Sequence, residues 1–232
     1  MRAMILAAGR GERMRPLTDA VPKPLLEVNG KPLIVWQIER LVRAGFDELV
    51  INVSYRAEQI VAALGDGRAW GARIAWSHEA EPLESAGGIA RALHLLGEEP
   101  VLVAAADVYT DFDFGRLAAL RTAITADGPT RAHLVLVPNP AFRPQGDYAL
   151  SGAGRVGLAG SPRWTWASFG LLHPALLREI PNGKKIALLP FFADWMNRGV
   201  VGGELYDGIW DNLGTPGQLD QLDRALRGAA RG

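Results

Sequence analysis

The sequence predicts an α/β fold built on a doubly wound, mixed sheet with a small antiparallel section. Three observations lead there. Apolar runs and amphipathic stretches alternate repeatedly across residues 1–138, the pattern of strands and helices in a sheet covered on both faces. The run Pro100–Ala106 (PVLVAAA) is apolar throughout, as in the middle of a parallel sheet. Beyond residue 138 the alternation gives way to glycine- and tryptophan-rich pieces between Gly146 and Ser168, which suit short antiparallel strands or a lid.

The elements follow in order. Met1–Ala7 reads as a buried strand, and Ala8–Asn29 as a long loop with clustered glycine and proline. Pro32–Ala44 spaces its apolar residues helically, with proline at its start and Gly45 beyond its end. Asp47–Val53 is a second strand, Ala57–Leu64 a second helix, and Ala72–Ser77 a third strand. Gly87–Leu96 is helical, with Ser85 a candidate cap. After the Pro100–Ala106 run come a helix at Phe114–Thr122 and a strand at Ala132–Pro138. Ile186–Asn197 and Pro216–Leu226 are helical, and Gly202–Trp210 holds a strand. Trp164, Trp166 and Phe169 are expected in the core. No repeat or linker interrupts the 232 residues, so one domain is expected.

Composition removes several function classes. Lys plus Arg and Asp plus Glu are 25 each, without the basic excess of a nucleic-acid binder. With no cysteine, disulfides, thiolate metal sites and thiol nucleophiles are excluded. His78, His94, His133 and His173 lack metal-ligand spacing. No stretch reaches the roughly 20 apolar residues that span a bilayer, and the N-terminal apolar stretch is short for a signal peptide. A soluble, cytoplasmic protein, monomeric or a small homo-oligomer, is expected.

The chemistry concentrates after the first strand, in Leu6-Ala7-Ala8-Gly9-Arg10-Gly11-Glu12-Arg13. Gly9 and Gly11 let backbone N–H groups approach a polyanion, and Arg13 and Arg15 can grip phosphate oxygens. Lys23 follows, held between Pro22 and Pro24. Taken alone, such a loop is a weak signal and reads first as a tight turn with solvated arginines. It fits neither the dinucleotide fingerprint, since Met14 stands at the third glycine, nor the P-loop. Asp107 ends the apolar run, where a carboxylate suits Mg²⁺ or caps the turn at Thr110–Phe114.

The string L-A-A-G-x-G-x-R-x-x-P-L-T, then P-K-P-L, then Val28–Ile34, resembles the sugar-1-phosphate nucleotidyltransferase superfamily. The resemblance implies a Rossmann-like fold and transfer of a nucleotidyl group to a sugar 1-phosphate, with Mg²⁺ as cofactor. Leu6, Ala7, Ala8, Gly9, Gly11 and Glu12 would wrap the nucleotide, and Arg13 would hold the departing phosphates. Lys23 would bridge the α-phosphate and the sugar phosphate. Arg13, Lys23 and Asp107 are thus the implied catalytic residues. Glu81 and Gly87, in a segment resembling E-P-L-x-T-A-G, would contact the base; the same residues also read as a capped helix start.

Asp107 would ligate the metal together with Asn212, in a segment resembling W-x-D-x-G-T-P where relatives often carry aspartate. Ala105 and Ala106 replace a polar residue and a glycine common in relatives. Asn139, Gly146 and Asp147 resemble the sugar-phosphate side of the shorter members, the N-acetylmuramate 1-phosphate uridylyltransferase group. Those members favour UTP as the nucleotide. Residues 1–138 would then mainly hold the nucleotide, and 139–232 the sugar and the closing helices. The alternatives are another NDP-sugar or CDP-choline pyrophosphorylase, such as a mannose-1-phosphate guanylyltransferase, and a non-catalytic nucleotide-binding regulator. The sequence ends soon after the last helix, without the long C-terminal extension expected of larger relatives.

Overall fold

The computed structural model describes residues 1–229. Its strands are β1 (Arg2–Leu6), β2 (Glu27–Val28), β3 (Lys31–Pro32), β4 (Glu48–Val53), β5 (Arg73–His78), β6 (Val101–Ala105), β7 (Val108–Thr110), β8 (Ala132–Val137), β9 (Tyr148–Leu150), β10 (Val156–Gly157), β11 (Arg163–Leu172), β12 (Val201–Leu205) and β13 (Trp210–Asn212). The helices are α1 (Leu33–Arg43), α2 (Ala57–Leu64), α3 (Glu84–Leu96), α4 (Gly115–Ala119), α5 (Pro174–Leu177), α6 (Leu189–Asn197) and α7 (Pro216–Ala229).

Nine strands form one mixed sheet. β5, β4, β1 and β6 lie side by side and parallel. β11 runs antiparallel to both β6 and β8, and β12 pairs parallel to β8. The first residues of β11 carry β9, and β9 carries β10, which is the antiparallel section read from the sequence. Alternate side chains feed two cores. Ala3, Ile5, Ile51 and Ala104 pack under α1, α2 and α4 with Ile38, Leu41, Ile60 and Leu117. Met4, Val50 and Val103 pack under α3, α5 and α6 with Ile89, Leu176 and Trp195.

The chain leaves β1 towards β4 and β5, then crosses to β6 on the other side of β1. The crevice between the carboxyl ends of β1 and β6 is therefore the switch point at which open α/β sheets bind ligands. A third cluster builds its outer wall. Met14, Val28, Leu33, Tyr109 and Leu213 pack against Leu219 and Leu222 of α7. The turn that carries Arg13 is thereby fixed to the C-terminal helix.

Two local readings change. α3 begins at Glu84, not Gly87, and Ser85 does not cap it: the Ser85 Oγ accepts from the Leu188 N–H, 2.9 Å. A neighbouring chain segment takes this hydroxyl, because Ile186 also bonds the first turn of α3, its carbonyl accepting from the Ala86 and Gly87 N–H groups. Thr110–Phe114 is likewise not a turn capped by Asp107. Thr110 ends β7, and the Asp113 carboxylate accepts from the Gly115 N–H where the following helix begins, 2.9 Å. Phe169 lies in the core as expected, while Trp164 and Trp166 are only partly buried and pack against the core, Trp166 edge-on to Phe192 at 4.9 Å.

Candidate active site

The switch-point crevice is an open cleft of about 1030 Å³. One side is the loop from Leu6 to Met14, the floor is Asn52, and the far side runs from Glu81 to Ser85. Ala105, Ala106 and Asp107 enter from β6, and Lys23, Lys185 and Gly214 complete the lining.

The loop's shape follows from its glycines. Gly11 has φ +63°, and a Cβ there would stand 3.0 Å from Lys23 Cβ and from Thr18 Cγ2. Only glycine lets the loop lie against the Lys23 turn, and the Thr18 hydroxyl fastens it by donating to the Gly11 carbonyl, 2.9 Å. Gly9 differs, since a Cβ there would meet no atom within 4 Å.

Lys23 Nζ forms an ion pair with Asp107 Oδ2 across the cleft, with the two side chains 11% and 26% exposed. Arg10 and Glu81 form a second pair over the mouth, 2.9 Å apart and well exposed. Arg13 and Lys185 have no ion-pair or hydrogen-bond partner among the described residues. The Arg13 guanidinium lies beside Gly214, where a Cβ would come within 3.3 Å of it. The glycine of the W-D-N-L-G-T-P segment thus leaves room for the arginine of the phosphate loop.

β13 pairs with β7 so that Asn212 faces Val108, and the Leu213 N–H donates to the Asp107 carbonyl, 3.0 Å. Asp107, in the turn between β6 and β7, is thereby tied to the end of β13 beside Asn212, though only Asp107 of the two lines the cleft. Among the described residues, no group of three or more His, Asp or Glu side chains gathers into a metal cage. A carboxylate and an amide oxygen nonetheless fit a hard divalent cation that takes its remaining oxygens from phosphates and water.

The structure brings Leu6, Ala7, Ala8, Gly9, Gly11, Glu12, Arg13, Lys23, Glu81 and Asp107 to one cleft. Gly87 lies behind it, where a Cβ would come 2.2 Å from the Lys184 carbonyl oxygen; its small size serves a chain crossing. Asn139, Gly146 and Asp147 join each other rather than the cleft lining. Asn139 Nδ2 donates to the Arg163 carbonyl, 2.9 Å, and its Oδ1 accepts from Thr165, 3.0 Å. Asp147 accepts from the Trp166 N–H, 2.9 Å, and from Arg143, 2.6 Å. They brace the loop leaving β8, at the same sheet edge as the cleft because β8 and β6 are both antiparallel to β11. Asn52, Ser85, Lys185 and Gly214 were missed. Asn52 had a signal, a lone amide in the otherwise apolar strand LVINV, while Lys185 had none.

Residues 2–143 match the nucleotidyl transferase family. The chain belongs to this family. Among its relatives, the N-acetylmuramate alpha-1-phosphate uridylyltransferase of Neisseria meningitidis is 47% identical over 232 residues, 99% of both chains. The enzyme of the same description from Caulobacter vibrioides is 36% identical over 225 residues, 92% of both. A crystal structure from Bacillus anthracis, described as a glucose-1-phosphate thymidylyltransferase, superposes with a TM-score of 0.84 over 98% of this chain and 96% of its own. At 18% identity, that likeness is one of fold. The family assignment makes the chain a nucleotidyltransferase and sets aside the non-catalytic regulator. Among the described residues no helix is long and apolar enough to cross a membrane.

Proposed function

We propose that the chain transfers a uridylyl group from UTP to N-acetylmuramate 1-phosphate and releases pyrophosphate. The observation that carries this is the convergence of Arg13, Lys23 and Asp107 on one glycine-walled cleft, in a chain that matches uridylyltransferases end to end. An oxygen of the sugar phosphate attacks the α-phosphorus in line. The new P–O bond forms as the bond to the β-phosphate oxygen breaks, and no covalent enzyme intermediate is needed.

Each residue has a charge to meet. Lys23 lies between the two reacting phosphates and neutralises both, Arg13 takes the negative charge that grows on the leaving pyrophosphate, and the backbone at Gly9 and Gly11 cradles the chain between them. Asp107 and Asn212 would hold Mg²⁺, which lowers the charge repulsion on phosphate when bound. Residues 1–138 mainly serve the nucleotide. The braced loop at Asn139, Gly146 and Asp147 borders the sugar side. A cytoplasmic location is part of this proposal, since UTP is a cytoplasmic substrate.

The test is pyrophosphate release with four nucleoside triphosphates against N-acetylmuramate, glucose and mannose 1-phosphates and phosphocholine. The expected result is Mg²⁺-dependent turnover with UTP and N-acetylmuramate 1-phosphate well above every other pair. A preference for GTP with mannose 1-phosphate would replace this reading by the guanylyltransferase one.

A further inference from the structure

Few polar side chains are buried in this chain, and two of them touch. Asn52 in β4 is 2% exposed, and Glu79, just past β5, is 5% exposed. Asn52 Nδ2 donates to Glu79 Oε1, 2.7 Å. Their outer atoms reach opposite walls of the cleft. Asn52 Oδ1 accepts from the Ala7 N–H, 2.9 Å, and Glu79 Oε2 accepts from the Leu83 N–H, 2.8 Å. A continuous chain of hydrogen bonds therefore runs from the base of the glycine loop to the Glu81–Ser85 wall.

Such a pair is costly to bury, and Glu79 has no cation in an ion pair with it among the described residues. A well-packed apolar pair would serve the core alone at least as well. Helix α3 also accommodates it. A Cβ at Gly88 would stand 2.6 Å from Asn52 Nδ2 and 2.7 Å from Glu79 Oε1, so the helix carries its least favourable non-proline residue there to leave room.

We infer that Asn52 and Glu79 are positioning residues that set the width of the slot for the nucleotide base. The inference rests on the nucleotide-binding reading of the cleft. It follows from the direction of the bonds. Both ends of the chain are backbone N–H donors, so each side chain must offer an acceptor outward. One donor is needed between them, and the Asn52 amide supplies it. In Asn52→Asp two carboxylates face each other. In Glu79→Gln one amide must turn a donor towards another donor. In the double variant the donor simply moves to position 79, and every bond is remade.

The experiment measures UTP affinity by calorimetry, and KM and kcat by pyrophosphate release, for wild type, both single variants and the double variant. Each single variant should weaken UTP binding and raise its KM about tenfold or more, with kcat and the KM for the sugar phosphate within about threefold of wild type. The double variant should return to within about threefold of wild type. Should a single variant fail to fold, the double variant decides alone: near-normal UTP affinity supports the relay and its loss refutes it. Single variants that lose thermal stability but bind UTP normally overturn the inference, as does a double variant no better than the worse single. If the wild type binds no UTP, the nucleotide reading falls and takes this inference with it. Wild-type binding beside unaffected variants overturns the inference alone.

Discussion

Lys23→Met removes one charge and leaves most of the side-chain volume. In the resting protein Lys23 holds Asp107, and the pair is only partly shielded, at 11% and 26% exposure. Its attraction is offset by desolvation, so the net loss of stability is on the order of 1 kcal/mol. For a chain of this size that lowers Tm by about 2–4 °C. Turnover should suffer far more. In the transition state Lys23 faces charge on both phosphates, and loss of one such preorganised donor costs about 3–4 kcal/mol, or roughly 10²–10³ in kcat. Lys23→Arg keeps the charge, but the site is tight: a Cβ on Gly11 would already stand 3.6 Å from Lys23 Cδ. The bulkier guanidinium should therefore rescue only part of the activity. Steady-state pyrophosphate release and thermal melts measure both effects. A methionine variant with lowered Tm but kcat within about threefold of wild type would show that Lys23 is a structural counter-ion only.

Other outcomes follow from the same geometry. Gly9→Ala should leave Tm unchanged, because the new Cβ meets nothing within 4 Å, while raising the KM for UTP about tenfold as the methyl intrudes on the phosphates; equal KM values would place the phosphates elsewhere. Gly11→Ala should instead cost about 1–2 kcal/mol of stability, from φ +63° and two contacts at 3.0 Å, read directly in a urea melt. Asn212→Asp adds a charge beside Asp107 and should tighten Mn²⁺ about tenfold in the presence of a non-hydrolysable UTP analogue; unchanged affinity by electron paramagnetic resonance would put Asn212 out of the metal's reach. His173 Nδ1 caps α5 by accepting from the Ala175 N–H, 3.0 Å. Burial first, then Arg178, lowers its pKa, opposed by Glu98 and Glu99. Stability from the neutral ring is therefore complete above about pH 6.5 and is lost as pH falls from there through the lowered folded-state value. His173→Asn, an acceptor that does not titrate, should remove about 1 kcal/mol of that loss. Parallel melting curves at about pH 7.5 and about pH 5 would contradict it.

What could be read from the sequence was what local pattern encodes. The apolar runs that became β1, β4 and β6 announced themselves, and so did the glycine loop between them, because both depend on residues adjacent in the chain. What escaped depends on residues far apart. β7 and β13 are only three residues each and exist because they pair across a hundred positions. Asn139 and Asp147 read from the sequence as residues of the sugar-phosphate side, and the structure adds hydrogen bonds that close their loop onto β11. A polar side chain in a glycine-rich segment looks alike in either role until its partner is known. Asn52 is the converse: an amide in an apolar strand signalled something unusual, but its partners Ala7 and Glu79 come from other strand ends.

The charge of the cleft accounts for how few ligands the proposed metal site would offer. Lys23 neutralises Asp107 in the resting protein, and Asn212 adds no charge, so a free divalent cation meets little net attraction there. Arg13 and Lys185 meanwhile line the cleft without ion-pair partners among the described residues, which favours a polyanion. Under the proposed reading, a triphosphate that carried its own cation would reverse both conditions: its oxygens would supply most of the ligands a hard cation needs, and its negative charge would compete with Asp107 for Lys23. The same lysine would then stand where the second phosphate has to approach. One carboxylate and one amide would be enough under that reading, because the substrate would bring the remaining ligands and the lysine would keep the carboxylate occupied until it did.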